Sequence, residues 1–293
     1  MLKRLSPRKG KGISIIIPFR CLDSTHPRMR NIQWLKKYWK SQLPAAELII
    51  GEDPDTNVPF SKSVAINNGV REAKGDILVL VDADGYLDTD SVLHCAKEIR
   101  DARKLGHKLW FVPYRLFHRL TESASQRLLA SSPKKPLMFS TPPGPEDRFG
   151  NDYASTGHWY GAMIQIMPKE AFEIVGGWDP RFRGWGGEDH AAMRAMDTLY
   201  SPHKTLPGQV LHVWHPQIGN NGSTGWVPAK ERRWEGQNDP AINSRLSWRY
   251  YWSAGRPGSM RRLLDEGFRW YEAHRHEYLE RKRQHLSEHH HSI

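Results

Sequence analysis

The stretch ILVLVDAD, residues 77–84, decides the predicted fold. Five apolar residues, most of them branched, follow one another without a polar break, which is typical of a strand buried on both faces in a parallel sheet. The run stops at two carboxylates, Asp82 and Asp84, directly before Gly85. Ligands of open α/β sheets bind at the carboxyl ends of strands. Carboxylates placed there suit a hard cation such as Mg²⁺ or Mn²⁺, with ordinary turn chemistry as the alternative.

Comparable segments surround this strand. Apolar strands are predicted over residues 13–17 and 48–50, and polar residues follow each at its carboxyl end. Helices are predicted over residues 31–40, 60–73 and 91–103. The resulting β-α-β-α-β order implies parallel strands joined by right-handed crossovers. The sequence therefore predicts an α/β fold whose first half binds a nucleotide.

The second half of the chain is less regular. We predict strands over residues 109–112, 162–167 and 210–216, helices over 168–175 and 188–200, and a mobile surface loop over 131–153. Residues 239–285 have a helical, basic pattern, and we expect them to pack on the main unit. The chain is thereby divided into a basic tail (1–12), a main domain (13–216), and a loop with a C-terminal helical extension (217–293).

Composition limits the classes of partner and compartment. The 293 residues include 43 Lys and Arg against 32 Asp and Glu, a net charge of +11. Such a surplus favours nucleic acid, an acidic membrane surface or a phosphate-bearing substrate, with solubility alone as the alternative. Two cysteines without paired spacing argue against a disulfide scaffold and a Cys-ligated zinc site. With no signal peptide or membrane span in the sequence, we expect a soluble, cytoplasmic protein.

An acidic pair, Glu188 and Asp189, follows Gly186 and Gly187. Two glycines let the backbone approach a ligand closely, and the N-terminus of the following helix favours negative charge. A carboxylate fixed there can act as a general base on a hydroxyl group. The alternative is an acidic pair that only stabilises the start of the helix.

Two tryptophans, Trp178 and Trp185, stand beside glycines in the same region. We expect a tryptophan in such a loop to contribute little to a core. Stacking of a sugar ring on the indole face is the better use of it.

His212 and His215 are candidate metal ligands near the end of the last predicted strand. Residues three apart on a strand point to opposite faces, so both can bind one ion only if the strand ends or kinks between them. Pro216 favours such an ending. Neutral imidazole suits Mn²⁺-type sites beside carboxylate, and a structural role for the two histidines is the alternative.

The order of these motifs resembles that of GT-A glycosyltransferases. It is most similar to the β1,4-galactosyltransferases, with polypeptide N-acetylgalactosaminyltransferases and other family-2-like enzymes nearby. The resemblance runs from about residue 13 to residue 216 and implies that the main domain is a GT-A catalytic domain with a Rossmann-like fold. It also implies Mn²⁺ or Mg²⁺ as cofactor and a UDP-sugar as donor.

The resemblance assigns roles residue by residue. Asp189 would be the catalytic base and Glu188 would bond the sugar hydroxyls. The implied metal ligands are Asp84, Asp82, His212 and His215. The residues implied at the nucleotide sugar are Pro18, Phe19, Arg20, Asp53, Phe60, Lys62, Asn67, Asp82, Ala83, Tyr160, Gly161, Trp185 and Gly187. Leu22 stands where those galactosyltransferases carry a second arginine, so Lys62 or Arg71 would contact the diphosphate.

The implied reaction moves a hexose or N-acetylhexosamine from a UDP-sugar to a hydroxyl of a protein or glycan acceptor. The Gly-Gly-Glu-Asp ending favours inversion, because the retaining polypeptide enzymes usually carry Asn at the last position. Three alternatives remain open: a retaining polypeptide-type transferase, a glycosyltransferase acting on modified DNA bases, and a non-catalytic sugar or nucleic-acid binding protein. The oligomeric state is not predicted.

Overall fold

The computed structural model of the chain describes residues 9–21, 24–55, 59–148, 163–184, 186–216 and 240–290, with side chains from 243 to 274 in the last range. The strands are β1 (Ile13–Pro18), β2 (Glu47–Gly51), β3 (Ile77–Val81), β4 (Gly85–Tyr86), β5 (Phe111–Val112), β6 (Leu116–Arg119), β7 (Ile164–Pro168), β8 (Lys204–Thr205) and β9 (Gln209–His212). The helices are α1 (Pro27–Gln42), α2 (Lys62–Glu72), α3 (Thr89–Lys104), α4 (Glu122–Ala130), α5 (Lys169–Val175), α6 (Glu188–Leu199), α7 (Pro240–Ser253) and α8 (Pro257–His290).

A six-stranded sheet carries the core, in the order β2-β1-β3-β7-β5-β8. Its first three strands are parallel, with Ile16 of β1 between Ile49 of β2 and Leu80 of β3. β3 is buried along its whole length, as its unbroken apolar run predicts. Helices α1 and α2 connect the parallel strands, so the predicted β-α-β-α-β order and the α/β fold class are confirmed.

The other half of this sheet is antiparallel around β7. This strand lies between β3 and β5 and is antiparallel to both, and β8 forms the edge parallel to β5. Because β7 begins where β3 ends, the Met163 carbonyl accepts a hydrogen bond from the Asp82 amide at 2.9 Å. The turn that follows β3 is thereby fixed by a neighbouring strand.

A second, three-stranded sheet has the order β4-β9-β6, and the sequence pattern does not predict it. β4 is antiparallel to β9, with Gly85 opposite His212, and β6 is parallel to β9. The turn between β3 and β4 is closed by a 3.0 Å hydrogen bond from the Gly85 amide to the Asp82 carbonyl. The small sheet therefore brings the end of β9 to the end of β3.

Helix α2 packs very close to the large sheet at two glycines. A Cβ atom on Gly69 would lie 2.7 Å from Cγ2 of Ile16, and one on Gly51 would collide with the Ala65 carbonyl. Any side chain at these two positions would push the helix away from the sheet. The close approach holds the start of α2, at Lys62, beside the carboxyl ends of the strands.

The C-terminal helices α7 and α8 pack against each other and against α6. A buried polar cluster joins them to the main domain: Asp179 accepts hydrogen bonds from the Arg181 guanidinium at 2.6 Å and from the Tyr250 hydroxyl at 2.9 Å. Gly267 of α8 lies against this carboxylate, since a Cβ there would be 2.5 Å from Asp179 Oδ1. The extension is therefore an integral part of the packed fold.

Helix α8 is the longest, with 34 residues. Charged residues recur throughout its sequence. None of the helices over the described residues combines the length and the apolar composition that crossing a bilayer requires.

Candidate active site

The carboxyl ends of β1, β2 and β3 lie side by side because these strands are parallel. Asp82 and Asp84 follow β3 at this edge. The starts of α2 and α6 reach the same place, since Lys62 of α2 contacts both Asp82 and Asp189 of α6. Ligands of α/β sheets bind at such edges, so the candidate active site lies here.

Asp84, His212 and His215 form a compact cluster. Nε2 of His215 lies 3.1 Å from Asp84 Oδ2, and Nε2 of His212 lies 3.8 Å from the same atom. One ligand atom from each residue lies within 4.8 Å of the other two. The carboxylate is buried, and both imidazoles are partly exposed. Three of the four residues predicted to share a cation are thus brought together.

Backbone pairing explains how two distant segments meet. β9 ends at His212, which is paired with Gly85, and the Val213 amide donates a 2.8 Å hydrogen bond to the Asp84 carbonyl. Beyond this point the chain no longer follows the alternation of a strand, and the rings of His212 and His215 lie 5.2 Å apart. The early end of β9 is what lets both histidines face Asp84.

Burial and charge set the protonation of this cluster. Burial alone would raise the pKa of Asp84, but His212, His215 and Arg28 hold it well below its usual range. Burial lowers the pKa of His212 to about 4, with the Asp84 carboxylate acting in the opposite direction. At neutral pH, Asp84 is ionised and His212 is neutral, as metal ligands must be.

The cluster fits a divalent cation by its donor atoms. A carboxylate oxygen with two imidazole nitrogens is a ligand set that Mn²⁺-type ions accept. Asp84 is ionised before any ion binds, so no proton has to leave it. Asp84, His212 and His215 are therefore the residues that could hold the metal.

Lys62 joins two carboxylates to which the resemblance gives different roles. Its Nζ lies 2.5 Å from Asp82 Oδ1 and 2.6 Å from Asp189 Oδ1. The metal cluster does not include Asp82, which instead lies beside it as an ion-pair partner of Lys62. Lys62 is held in place as the first residue of α2, where the Ser61 hydroxyl caps the helix by accepting from the Val64 amide.

The same burial shifts the pKa values around Lys62. Burial alone would lower the pKa of Lys62, but Asp189 and Asp82 outweigh it and raise the pKa above its usual value. Burial raises the pKa of Asp82 to about 6 and that of Asp189 well above its usual range, with Lys62 opposing both shifts. A carboxylate with a raised pKa takes up a proton more readily, which suits Asp189 to general-base chemistry.

Asp53 organises the corner that the resemblance assigns to the nucleotide base. Its Oδ2 accepts a 2.8 Å hydrogen bond from the Ser61 amide and lies 3.6 Å from Arg20 and 3.8 Å from Arg183. Burial raises the pKa of Asp53, and these three neighbours oppose that shift. The Arg20 guanidinium lies 5.3 Å from the centre of the Phe60 ring. Arg20, Asp53 and Phe60 are therefore assembled in one place.

Arg28, near the start of α1, is a site residue that the sequence analysis missed. Its Nη2 lies 3.6 Å from Asp84 Oδ2, and its guanidinium lies 5.9 Å from the centre of the Phe19 ring. Its Nε is buried without a hydrogen-bond partner among the described residues, although buried donors normally have one. A guanidinium whose Nε lacks a partner, beside Asp84, is suited to an anionic ligand. The only sequence signal is an arginine soon after the first strand.

Some predicted contacts have other uses. Arg71 bonds Asn68 on the exposed last turn of α2, so it does not reach the site. The Asn67 side chain bonds the Trp178 backbone through both its Nδ2 and its Oδ1 atom, at 2.8 and 2.9 Å. Because both amide atoms are engaged, the geometry does not support the predicted contact of Asn67 to the nucleotide sugar. Trp178 is 4% exposed. The prediction that it stacks on a sugar is wrong, because the indole fills the core beside α2.

The loop before α6 depends on glycine. Gly186 and Gly187 have φ values of 110° and 90°, in the region that disfavours other residues. Glu188 is buried, and its Oε2 accepts a 3.2 Å hydrogen bond from the Gly186 amide. Glu188 therefore stabilises its own loop, which is the structural alternative for the acidic pair, whereas Asp189 contacts Lys62.

The remaining predicted residues are less informative. Pro18 and Ala83 are buried and present little surface to a ligand. Tyr160, Gly161 and Trp185, together with Leu22, lie outside the described residues.

Helix α7 of the extension contacts the loop before α6, at Arg183 and Gly187. Asn243 donates from Nδ2 to the Arg183 carbonyl at 2.7 Å and accepts from the Arg183 amide at 3.4 Å. Ser247 lies so close to Gly187 that a Cβ on the glycine would be 3.0 Å from the serine Cβ. The extension therefore helps to position the segment that leads into Asp189, and the sequence gives no signal for this contact.

Two family models match adjacent parts of the chain. The model described as glycosyl transferase family 2 matches residues 56–143. The model described as the N-terminal domain of galactosyltransferase matches residues 147–198. No curated protein matches the sequence. The two matches cover Lys62, Asp82, Asp84 and Asp189, whereas the histidine pair and the extension lie beyond them.

Solved structures are similar to the chain at low identity. The catalytic domain of Drosophila β1,4-galactosyltransferase 7 in complex with xylobiose has 16% identity and a TM-score of 0.40, covering 80% of this chain and 79% of that one. A mutant of the same enzyme with manganese, UDP-Gal and xylobiose has 15% identity and a TM-score of 0.38, covering 78% and 75%. S. aureus TarS has 10% identity and a TM-score of 0.38, covering 70% and 37%.

We expect Asn243→Ala to lower the free energy of unfolding by about 1–3 kcal/mol, because the Arg183 amide and carbonyl lose their buried partner. The matched control is Asn68→Ala, since Asn68 donates to the Glu52 carbonyl at an exposed position. That change is expected to cost less than about 0.5 kcal/mol. Urea unfolding of both variants measures the difference. Equal losses of unfolding free energy in the two variants would contradict a stabilising role for the Asn243–Arg183 contact.

Proposed function

Since the chain is a glycosyltransferase with the GT-A fold, we propose that it moves a hexose or N-acetylhexosamine from a UDP-sugar to an acceptor hydroxyl. The observation that carries this proposal is the meeting of Asp84, His212 and His215 within 4.8 Å at the end of β3. Next to this cluster lies a second carboxylate, that of Asp189, whose Oδ1 is 2.6 Å from Nζ of Lys62. A cation site and a general base side by side are what transfer from a nucleotide diphosphate requires.

Asp84, His212 and His215 would hold Mn²⁺ or Mg²⁺. When bound, the ion would supply Lewis-acid stabilisation of the diphosphate leaving group. Arg28, with its unsatisfied Nε, would add a fixed positive charge for the same phosphates. It would replace the arginine that position 22 lacks.

The nucleotide would lie in the corner formed by Asp53, Arg20 and Phe60. The Phe60 ring offers a stacking face for uracil, and Asp53 offers an acceptor for the N–H groups of a base. Arg20 contacts Asp53 and lies over the Phe60 ring, which keeps both side chains in place before the ligand arrives.

Asp189 would take the proton of the acceptor hydroxyl as its oxygen attacks the anomeric carbon. Lys62 bonds Oδ1 of Asp189, so Oδ2 would be the proton acceptor. Attack from the face opposite to the leaving UDP inverts the configuration of the sugar. NMR of the product anomer separates this course from retention.

We propose a protein or glycan acceptor, and the net charge of +11 keeps a DNA-base acceptor as the second candidate. We also propose a cytoplasmic location, since neither Cys21 nor Cys95 is part of a disulfide. A labelled-donor assay against protein, saccharide and DNA acceptors distinguishes the classes.

The direct test of the proposed function is a thermal-shift panel of nucleotide sugars, with and without Mn²⁺. We expect UDP-sugars to raise the melting temperature only in the presence of Mn²⁺, because the ion and the diphosphate bind together. GDP- and CMP-sugars serve as controls for the base. Equal shifts with all nucleotides, or shifts that ignore Mn²⁺, would contradict the proposal.

Two variants separate the base from the metal site. Asp189→Asn should reduce transfer by about 10²–10⁴-fold, because the general base is lost while the amide keeps the volume of the side chain. UDP binding measured by calorimetry should stay nearly unchanged. Asp84→Ala should weaken both transfer and Mn²⁺-dependent UDP binding.

The control for these variants is Asp90→Asn, since Asp90 is an exposed carboxylate on α3. It should leave transfer and UDP binding unchanged. If Asp189→Asn weakened UDP binding as much as Asp84→Ala does, Asp189 would belong to the donor site and would not be the base.

A further inference from the structure

Helix α7 has a second apolar face that the described residues leave largely open to solvent. Its inner face is buried, with Leu246 at 6% and Tyr250 at 1% exposure. On the outer side Trp248, Tyr251 and Trp252 are 57%, 49% and 64% exposed. They make up three of the seven exposed large hydrophobic side chains over the described residues. A surface helix normally has one apolar stripe, which faces the core. A second, exposed stripe indicates a binding surface for a partner outside the fold.

These three side chains, which we call the aromatic face, form one cluster. The ring centres of Trp248 and Tyr251 lie 5.3 Å apart with an interplanar angle of 79°, and those of Tyr251 and Trp252 lie 5.4 Å apart at 83°. Arg194 of α6 lies 5.3 Å from the Tyr251 ring centre. Edge-to-face contacts of this kind hold the rings in place while most of their surface stays open to solvent.

The surroundings of the aromatic face are basic. Residues 240–266 contain five arginines against two acidic residues, Asp265 and Glu266. Several of the arginines make contacts within the fold: Arg249 bonds Glu266, Arg261 bonds the carbonyls of Ile174 and Val175, and Arg262 bonds the Ser259 hydroxyl. Arg245 also has a contact there. Arg245 and Arg256 are exposed, three residues before Trp248 and four residues after Trp252 in the chain. The charge around the aromatic face is therefore complementary to an anionic partner.

Both ends of α7 are attached to the main domain. Asn243 bonds Arg183 at one end, and just beyond the other end the Gly255 amide donates to the Thr198 hydroxyl at 3.0 Å. The helix thus runs alongside α6 as a rigid support. A ligand would meet a preformed surface and would not have to order it, which lowers the entropic cost of binding.

We propose that the aromatic face binds an anionic lipid surface, with α7 lying at the level of the headgroups. Trp and Tyr rings favour the membrane interface, and arginines at the surface attract acidic headgroups. Stable protein interfaces involve about 20–30 residues a side, far more than this face offers. Single-stranded nucleic acid is held in basic grooves, whereas these rings stand on the outer side of a single helix. The inference does not depend on the proposed enzymatic function.

The test is co-sedimentation of the full chain with vesicles of phosphatidylcholine alone and of an equal mixture of phosphatidylcholine and phosphatidylglycerol. We expect binding to the mixed vesicles only, weakening as salt is added. The double variant Trp248→Ser, Trp252→Ser should bind about tenfold more weakly or worse, because two interfacial rings are lost. Arg256→Gln should reduce binding about fivefold, since one arginine near an anionic surface contributes about 1 kcal/mol.

The matched control is Leu105→Ser, Met138→Ser, which removes two side chains that are 75% and 68% exposed elsewhere on the surface. It should bind vesicles as the parent chain does, and melting temperatures should show that all variants fold. Absence of binding to the mixed vesicles, or equal losses in the tryptophan variant and the control, would overturn the proposal. Salt-dependent binding of single-stranded DNA through the same tryptophans without vesicle binding would also overturn it.

Discussion

The contact between Asp84 and the two histidines is the constraint on which the rest of the site depends. Asp84 and His212 are more than 120 positions apart in the chain, and the pairing of β4 with β9, together with the bond from the Val213 amide to the Asp84 carbonyl, brings them together. The small sheet that contains this pair contributes Tyr86, Phe117 and Val210 to the core. The turn after β3 connects the small sheet to the large one, and the Met163 carbonyl fixes this turn by accepting a hydrogen bond from the Asp82 amide. Backbone pairing thus positions this cluster, and its side chains meet because β9 ends at His212.

Electrostatics explains how so many acidic groups can share one edge. Asp82, Asp84, Glu188 and Asp189 converge there, and like charges in a buried place disfavour one another. Lys62 offsets two of these charges by contacting Asp82 and Asp189 together. Nearby basic groups lower the pKa of Asp84, while burial raises that of Asp189. Neighbouring carboxylates therefore differ in how readily each takes up a proton.

Sequence patterns predicted the parallel half of the fold well because an apolar run such as β3 has one stable use. They could not predict β4, which is two residues long, or the antiparallel placement of β7, because pairing partners are distant in the chain. Trp178 was misjudged since a glycine neighbour says nothing about tertiary burial. Arg28 and Asn243 were missed for a related reason: their roles arise from contacts across the fold, and neither belongs to a recognisable local motif.

The central claim is that Asp84, His212 and His215 bind one cation beneath a nucleotide diphosphate. The most direct measurement is a manganese anomalous-difference map from crystals of the full chain grown with Mn²⁺ and UDP. The account predicts one strong peak bounded by Asp84 Oδ2 and the Nε2 atoms of both histidines, with the diphosphate beside it. A manganese peak elsewhere at this edge, or UDP bound without an ion among these three residues, would contradict it.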